Sequence, residues 1–430
     1  MNLRRTILAS IPAGLVAMLL TPAVGLAGTV TLQRLETING SPSQAVGMVR
    51  TTDGVLHLMY QTSSGGSYNG LAAISISAAG TVGSPVQALS GWNTTQPALV
   101  ALPGGTLEAF FGSISPGNQS SVWGITSSDG GATWSAPADV SSGSSDEVFD
   151  YASDLTAATS GGTPVLSMPH GDIVMQVGLG PGASTYVLNS ASDGDAFDLD
   201  QAVDAATGEV VDAWNSIASS PGNYLQGAAP TVGTPELVPG QVHDPPVIAG
   251  RDTGPGVFIP YTTDGTHVRL LTYDAGNVPV GAVGSITATN LAAATGPDGR
   301  IWVIWGKDGA ADSAATRSNK AVTRFEPIQL VDANTFSLWR IFGDGRLGPL
   351  DLFADEVPNT KTLQPPGLYY GRVLPELSAS ISVKKVKSKS GAVTAFRLTV
   401  KVNDAGDPAG ARPRPPRATT PRRTARVWPS

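Results

Sequence analysis

One eight-residue stretch of the chain is more informative than any other: Ser127-Ser128-Asp129-Gly130-Gly131-Ala132-Thr133-Trp134. It places Ser127, Asp129, Gly131 and Trp134 in the spacing S-x-D-x-G-x-x-W. This pattern predicts a hairpin turn in which the Asp129 carboxylate accepts hydrogen bonds from its own turn, while the glycines supply backbone dihedral angles closed to other residues. We expect the Trp134 side chain to pack beneath the turn.

This spacing is that of the Asp-box, and the stretch resembles the sialidase-like, or BNR-repeat, family of secreted β-propellers. The resemblance implies an all-β fold in which the box decorates the outer turn of a blade, away from the active site. Ser127, Asp129, Gly131 and Trp134 are therefore predicted to be structural residues. The pattern assigns no catalytic residue and no metal ligand.

A repeating unit supports the same fold. An apolar strand, a turn with glycine and a second apolar strand recur six times, with the turn glycines at Gly54, Gly105, Gly171, Gly208, Gly256 and Gly299. A blade of four short strands needs about 40 to 50 residues, so the repeat predicts a six-bladed β-propeller over residues 28–375. Both alternating faces of residues 55–60 are largely apolar, as expected of strands buried between stacked blades. An unrelated β-sandwich or β-helix is the alternative.

The beginning of the chain has the pattern of a secretory signal. Arg4 and Arg5 precede an apolar run over residues 7–20, and the small residues Gly25 and Ala27 precede a cleavage position before Gly28. The run is shorter than the roughly 20 residues that span a bilayer, so we expect no membrane span. Residues 1–27 therefore predict a secreted, extracellular protein. The chain has no cysteine, which excludes disulfides and thiolate metal sites.

The composition changes after residue 375. Residues 376–403 alternate as two strands and resemble the opening of an immunoglobulin-like, β-sandwich-like module. Residues 404–430 contain six arginines among prolines and are predicted to be disordered. A tether to an anionic cell wall, a spacer and the truncated end of a longer protein are the three interpretations. We favour truncation because two strands do not make a stable domain.

The charge of the chain is unevenly distributed. Residues 51–250 contain no Lys or Arg but 18 Asp and Glu, within a net charge of −7 for the whole chain. A surface of this kind repels nucleic acid, so we predict no nucleic-acid partner. Solubility explains the acidity, and calcium binding is a second explanation because Ca²⁺ prefers oxygen ligands. The candidate calcium ligands form two groups: Asp193, Asp195, Asp198 and Asp200, and Asp146, Glu147, Asp150 and Asp154.

The family resemblance raises the question of catalysis. It implies three arginines for a substrate carboxylate, a tyrosine nucleophile paired with a glutamate, and an aspartate as acid/base, an exception among glycosidases. The Arg-Ile-Pro motif of the family is absent. Tyr369-Tyr370-Gly371-Arg372 is a candidate for the late part of such a site, with strand packing as its other interpretation.

Two further kinds of side chain are candidates. Glu108 stands among apolar neighbours, and its pKa should be raised if it is buried. His57 and His170 are candidates for the central channel of a propeller, although the four histidines lack metal-ligand spacing.

The sequence therefore predicts a secreted, monomeric, sialidase-like propeller. The leading hypothesis is a non-catalytic protein that recognises a glycan or a cell-surface polysaccharide. The alternative is an exo-acting glycosidase with a diverged active site, and a structural surface protein is the third. Three arginines, a tyrosine and a carboxylate clustered at the axial face would favour the enzyme, whereas exposed coplanar tryptophans would favour a lectin.

Overall fold

The structure is a computed structural model. It describes residues 30–35, 46–64, 67–114, 120–141, 155–170, 173–177, 179, 186–189, 196–216, 222–230, 232–240, 246–263, 267–273, 282–285, 290–306, 314–331, 338–356, 367–387 and 393–404. The chain divides into two compact units, of which one is Thr21–Glu376 and the other includes Leu377–Ser430. The predicted signal sequence and all but the first residue of the predicted disordered tail lie outside the described residues.

The first unit is an all-β propeller of seven antiparallel blades, six of four strands and one of five. Strand β1 (Gln33–Arg34) belongs to the last of them. Blade 1 is formed by β2 (Gly47–Arg50), β3 (Leu56–Ser64), β4 (Ser67–Ile76) and β5 (Val86–Ser90). Blade 2 has an additional short strand and is formed by β6 (Asn93–Thr94), β7 (Ala98–Ala101), β8 (Leu107–Ile114), β9 (Ser120–Ser127) and β10 (Ala138–Asp139).

The next four blades repeat this arrangement, each from consecutive strands. Blade 3 is formed by β11 (Thr156–Ser160), β12 (Thr163–His170), β13 (Ile173–Val177) and β14 (Tyr186–Asn189). Blade 4 is formed by β15 (Ala196–Val203), β16 (Val210–Ser216), β17 (Gly222–Ala229) and β18 (Glu236–Leu237). Blade 5 is formed by β19 (Ala249–Gly250), β20 (Val257–Thr262), β21 (His267–Thr272) and β22 (Ala282–Ser285). Blade 6 is formed by β23 (Asn290–Thr295), β24 (Ile301–Gly306), β25 (Ala314–Arg317) and β26 (Gln329–Leu330), with a 3-10 helix (Pro297–Gly299) between its first two strands.

Blade 7 closes the ring with strands from both ends of the unit. It is formed by β27 (Leu338–Asp344), β28 (Leu350–Glu356) and β29 (Gly367–Val373), with β1 as its outermost strand. Gln33 lies opposite Tyr370, and Arg34 lies opposite Tyr369. Closure therefore depends on backbone pairing between the first and the last strands of the propeller.

The predicted number of six blades is wrong, because the propeller has seven. Blade 7 was missed although its first hairpin, β27 and β28, is consecutive in sequence with Gly345 and Gly348 between the strands, because charged residues such as Arg340 and Asp351 interrupt the apolar pattern of these strands. Gly171, the turn glycine expected for blade 3, comes after the second strand of that blade and lies outside the described residues. The first turn of that blade instead uses Gly161 and Gly162, which both have positive φ.

The hydrophobic core lies between neighbouring blades, because both faces of each inner sheet are covered. In β3, Leu56, Leu58 and Tyr60 pack in one buried cluster with side chains of blade 7. Met59, on the other face, packs in a different cluster with Leu107 of blade 2. The two apolar faces predicted for residues 55–60 are explained by this double burial.

The second unit contains one hairpin among the described residues. β30 (Leu377–Lys387) pairs antiparallel with β31 (Val393–Asp404), from Leu377 opposite Asp404 to Lys387 opposite Val393. The two predicted strands are present. No third strand joins them in the part of the chain that the structure describes, so the immunoglobulin-like module is not confirmed.

Candidate functional site

A central channel runs between the blades of the propeller. It encloses about 1320 Å³ and is lined by the innermost strands of all seven blades. Much of its wall consists of small residues, among them Gly47, Ala98, Ala157, Ala202 and Ala293. Small side chains on the innermost strands leave the space around the axis unfilled. The channel is therefore a concave site large enough to be considered as a binding site.

An ion pair crosses this channel. Arg340 on β27 of blade 7 places its Nη2 3.7 Å from Oδ1 of Asp200 on β15 of blade 4. Oδ2 of Asp200 accepts a 2.8 Å hydrogen bond from the backbone N–H of Ile248. Burial raises the pKa of the Asp200 carboxyl, and the opposite charge of Arg340 works against this rise.

A buried polar network lies behind Asp200. Gln201 donates from Nε2 to Oδ1 of Asp212 over 2.7 Å and to the Ser167 hydroxyl over 3.2 Å, so it joins blades 3 and 4. The Asp212 side chain is fully buried, and its Oδ2 has no hydrogen-bond partner among the described residues. Burial and, to a lesser degree, the charge of Asp200 outweigh the hydrogen bonds from Ser167 and Gln201 and raise the pKa of Asp212 to about 7.

A second charged cluster joins blade 1 to blade 7. Arg50 at the end of β2 donates from Nε to Asp344 over 2.5 Å and from Nη2 to Asp351 over 2.6 Å. Burial lowers the pKa of the Arg50 guanidinium, but the two carboxylates more than offset this and hold it above its usual value. Asp351 also accepts a 2.7 Å hydrogen bond from the Tyr370 hydroxyl.

Tyr370 and Arg372 do not form part of a catalytic site in the channel. Neither lines the channel, and Arg372 donates from Nη2 to the carbonyl of Ala78 in blade 1 over 2.8 Å. Burial, followed by the hydrogen bond to Asp351, raises the pKa of the Tyr370 hydroxyl, which opposes formation of a phenolate nucleophile. Tyr369 and Tyr370 are buried in the core between blades, as the packing interpretation predicts.

The stretch over residues 127–134 lies in the connection between β9 and β10 of blade 2. Asp129 accepts hydrogen bonds from the Ser127 hydroxyl at 2.8 Å and from the backbone N–H of Thr133 at 2.9 Å. These bonds and a third from the Thr133 hydroxyl lower the pKa of Asp129 to about 2. Gly131 has a φ of 87°, and the Trp134 indole N–H donates to its carbonyl over 3.2 Å.

The remaining candidates occupy separate places. His57 lines the channel, 3.3 Å from the Thr51 hydroxyl, and burial lowers the pKa of its imidazole. Glu108 is half-buried outside the channel, and burial raises the pKa of its carboxyl as expected. The side chain of His170 lies outside the described residues, so the proposed meeting of the two histidines stays a prediction.

No stacked pair of exposed tryptophans is found among the described side chains. Trp214, Trp302 and Trp305 are buried. Trp92 and Trp123 are half-buried and meet at an interplanar angle of 71°, with 4.9 Å between ring centroids. Their geometry is edge-on and not that of a flat platform.

The calcium hypothesis falls mostly outside the described residues. Asp146, Glu147, Asp150, Asp154, Asp193 and Asp195 are not described. Of the others, Asp200 faces Arg340, and within the described ranges no group of three or more acidic or histidine side chains could hold a metal ion. Those same ranges contain no helix long and apolar enough to cross a membrane.

Two charged residues of this region are not predicted from the sequence as site residues: Arg340, which crosses the channel, and Asp212, which lies behind Asp200. Both interrupt apolar strands, in the stretches Leu338-Trp339-Arg340-Ile341-Phe342 and Val210-Val211-Asp212-Ala213-Trp214. A charged residue inside a strand buried on both faces is a signal that could have identified them. Their partners could not be read from the sequence, because the pairing depends on the positions of blades 4 and 7 in the ring.

No protein-family model and no curated protein matches the chain. Among solved structures, polysaccharide lyase Uly1 is similar with 9% identity and a TM-score of 0.48, over 79% of this chain and 92% of that one. The intramolecular trans-sialidase from Ruminococcus gnavus has 8% identity and a TM-score of 0.41, over 78% and 95%. An Aleuria aurantia lectin variant in complex with alpha-methyl-L-fucoside has 13% identity and a TM-score of 0.39, over 85% and 96%.

Proposed function

We propose that the protein is a secreted monomer that recognises a glycan or a cell-surface polysaccharide through its central channel, without cleaving it. The observation that carries this proposal is the channel of about 1320 Å³ around the propeller axis. Sites for drug-sized molecules measure roughly 300 to 1,000 Å³, so this channel has room for more than one sugar ring.

The polar groups of the channel suit sugar hydroxyls. Gln96, Thr156 and Thr159 stand among small apolar residues in its wall. Amides and hydroxyls can both donate and accept hydrogen bonds, as sugar hydroxyls do. A few polar groups on an apolar wall are the usual means of orienting a ligand.

A glycan array probed with the purified protein tests this proposal, and a variant that narrows the channel links binding to the site. Ala205 is an exposed residue that lines the channel, whereas Ala206 is exposed in the same turn but does not line it. We expect Ala205→Trp to abolish glycan binding and Ala206→Trp to preserve it. Equal binding by the two variants would place the glycan site elsewhere.

A second candidate function is an exo-acting glycosidase with a diverged active site. It is favoured by the Asp200 carboxyl group in the channel wall and the Asp212 carboxyl group behind it, because burial raises the pKa of both and a general acid requires a raised pKa. Binding is preferred because Asp212 is fully buried. We expect no turnover of fluorogenic glycosides, sialosides included. Turnover abolished by Asp200→Asn would establish the enzyme instead.

A further inference from the structure

Arg340 and Asp200 face each other from opposite sides of the ring. Blades 4 and 7 are three positions apart in a closed circle of seven, so their innermost strands are separated by the width of the channel. The long Arg340 side chain bridges this width and approaches Asp200 to 3.7 Å. Residues 51–250 contain no Lys or Arg, so blades 2 to 4 supply no cation of their own to this level of the channel.

The Arg340 guanidinium is poorly satisfied by this contact. A separation of 3.7 Å exceeds the length of a charge-assisted hydrogen bond, which is about 2.7 to 2.9 Å. Nε of Arg340 has no hydrogen-bond partner among the described residues, although the residue is only 9% exposed. A buried guanidinium normally keeps its donors occupied, because an unpaired buried donor is destabilising.

The Asp200 carboxyl group has a second partner besides Arg340. Its Oδ2 is held by the Ile248 backbone N–H at 2.8 Å, and only Oδ1 faces the guanidinium. Burial disfavours a charge at Asp200, and the charge of Arg340 is the main effect that opposes it. The carboxyl group that loses the guanidinium can therefore take up a proton from solvent and keep its position through the bond to Ile248.

We propose that Arg340 is an anion-binding residue of the channel, which takes up a sulfate or carboxylate group in exchange for Asp200. A guanidinium presents parallel N–H donors that match the two oxygens of either group. An incoming oxyanion would satisfy the Nε that has no partner and would shorten the contact now made at 3.7 Å. Asp200 therefore competes with the anion for the Arg340 guanidinium and pairs with Arg340 when no anion is bound.

The proposed anion site and the proposed glycan site lie in the same channel, and the inference rests on the proposed function only to that extent. Inorganic sulfate therefore tests the anion site without any glycan. Calorimetric titration of the full chain with sodium sulfate, against sodium chloride at equal ionic strength, should give saturable 1:1 binding. Asp200→Asn should tighten the sulfate dissociation constant by roughly tenfold, because it removes the competing charge. Arg340→Gln should abolish binding. Arg346→Gln is the matched control, since Arg346 also lines the channel but is 43% exposed and lies beside Asp344.

Sulfate binding that survives Arg340→Gln, or that weakens in Asp200→Asn, would overturn the proposal. If Arg340→Gln does not fold, crystals of the unaltered protein soaked in selenate give the same answer, since the anomalous peak must lie at Arg340. A sulfated and a uronate-containing polysaccharide distinguish the sources of the anion. If either polysaccharide competes with sulfate, the natural anion is a group on a polymer. If neither polysaccharide competes, the site binds free anions. Glycan binding without any sulfate site would refute this inference and leave the proposed function intact.

Discussion

At the scale of single residues, two aspartates show how opposite environments shift the same carboxyl group in opposite directions. Asp129 is exposed and accepts three hydrogen bonds within its turn, which lower its pKa. Asp212 is fully buried with one oxygen unpartnered, and its pKa is raised. The first carboxylate is thus expected to stabilise the fold as an anion, and the second to destabilise it.

We predict that Asp129→Ala lowers the midpoint of thermal unfolding at pH 7 without changing ligand binding. The substitution leaves the Thr133 backbone N–H and two hydroxyls without their acceptor. Because the folded pKa lies below the unfolded one, the contribution is present above about pH 4 and is lost as the pH falls toward 2. Calorimetry should show a lower unfolding midpoint for the variant than for the parent protein at pH 7 but not at pH 2. An equal difference in midpoint at both pH values would indicate that the charge of the carboxylate does not contribute.

For Asp212→Asn we predict the opposite effect, a gain in stability at neutral and higher pH. A folded pKa of about 7 against an unfolded value near 4 means that stability falls as the pH rises between these values. Asparagine carries no charge, so the cost of burying an anion at this fully buried position disappears. We expect the variant to be more stable than the parent by a few kcal/mol at pH 8 and equal to it at pH 4.

Urea denaturation at both pH values measures this effect. Asp53→Asn is the control with a reversed profile, since hydrogen bonds from Thr51 and Val55 lower the pKa of Asp53. A gain in stability for Asp212→Asn at pH 4 as large as at pH 8 would contradict the explanation by charge.

At the scale of elements, the junction between blades 1 and 7 depends on Arg50. This side chain satisfies both Asp344 and Asp351, which are 4% and 0% exposed. Removing one partner of a buried ion pair leaves an uncompensated charge, which destabilises by about 3 to 5 kcal/mol. We predict a loss of that size for Arg50→Gln in chemical denaturation.

Arg346→Gln provides the comparison for this junction. Arg346 is 43% exposed and its Nε lies 3.4 Å from Asp344, so its loss should change the free energy of unfolding by less than about 1 kcal/mol. Equal effects of the two substitutions would mean that burial of the Arg50 cluster contributes little.

The strands were predictable from the sequence, whereas their assembly was not. Alternation and double burial identify elements such as β3, because each strand carries its own pattern. The seventh blade was not predicted because charged residues, among them Arg340 and Asp351, interrupt the apolar pattern of its first hairpin. The ion pair of Asp200 and Arg340 was not predictable because the two residues are remote in sequence, and only the geometry of the ring brings blades 4 and 7 together.

At the scale of the whole molecule, we predict that residues 405–430 contribute nothing to folding. They contain six arginines and six prolines, and Val427 and Trp428 are their only sizeable apolar residues. So few apolar groups cannot offset the entropy of ordering. Deletion of this segment should leave the melting temperature unchanged. A fall of several degrees would refute the predicted disorder, and salt-sensitive release from anionic cell walls would favour the tether.

The participation of β1 in blade 7 imposes an order on the folding of the chain. Blades 1 to 6 are each made of consecutive strands, but Arg50 and Asp351 meet across 301 residues of sequence. Contacts of such separation carry a large loop-closure entropy and form late. Until the two ends join, β29 keeps an open edge that can pair with another molecule. A circular permutant that carries residues 28–35 after blade 7 should therefore refold faster and aggregate less.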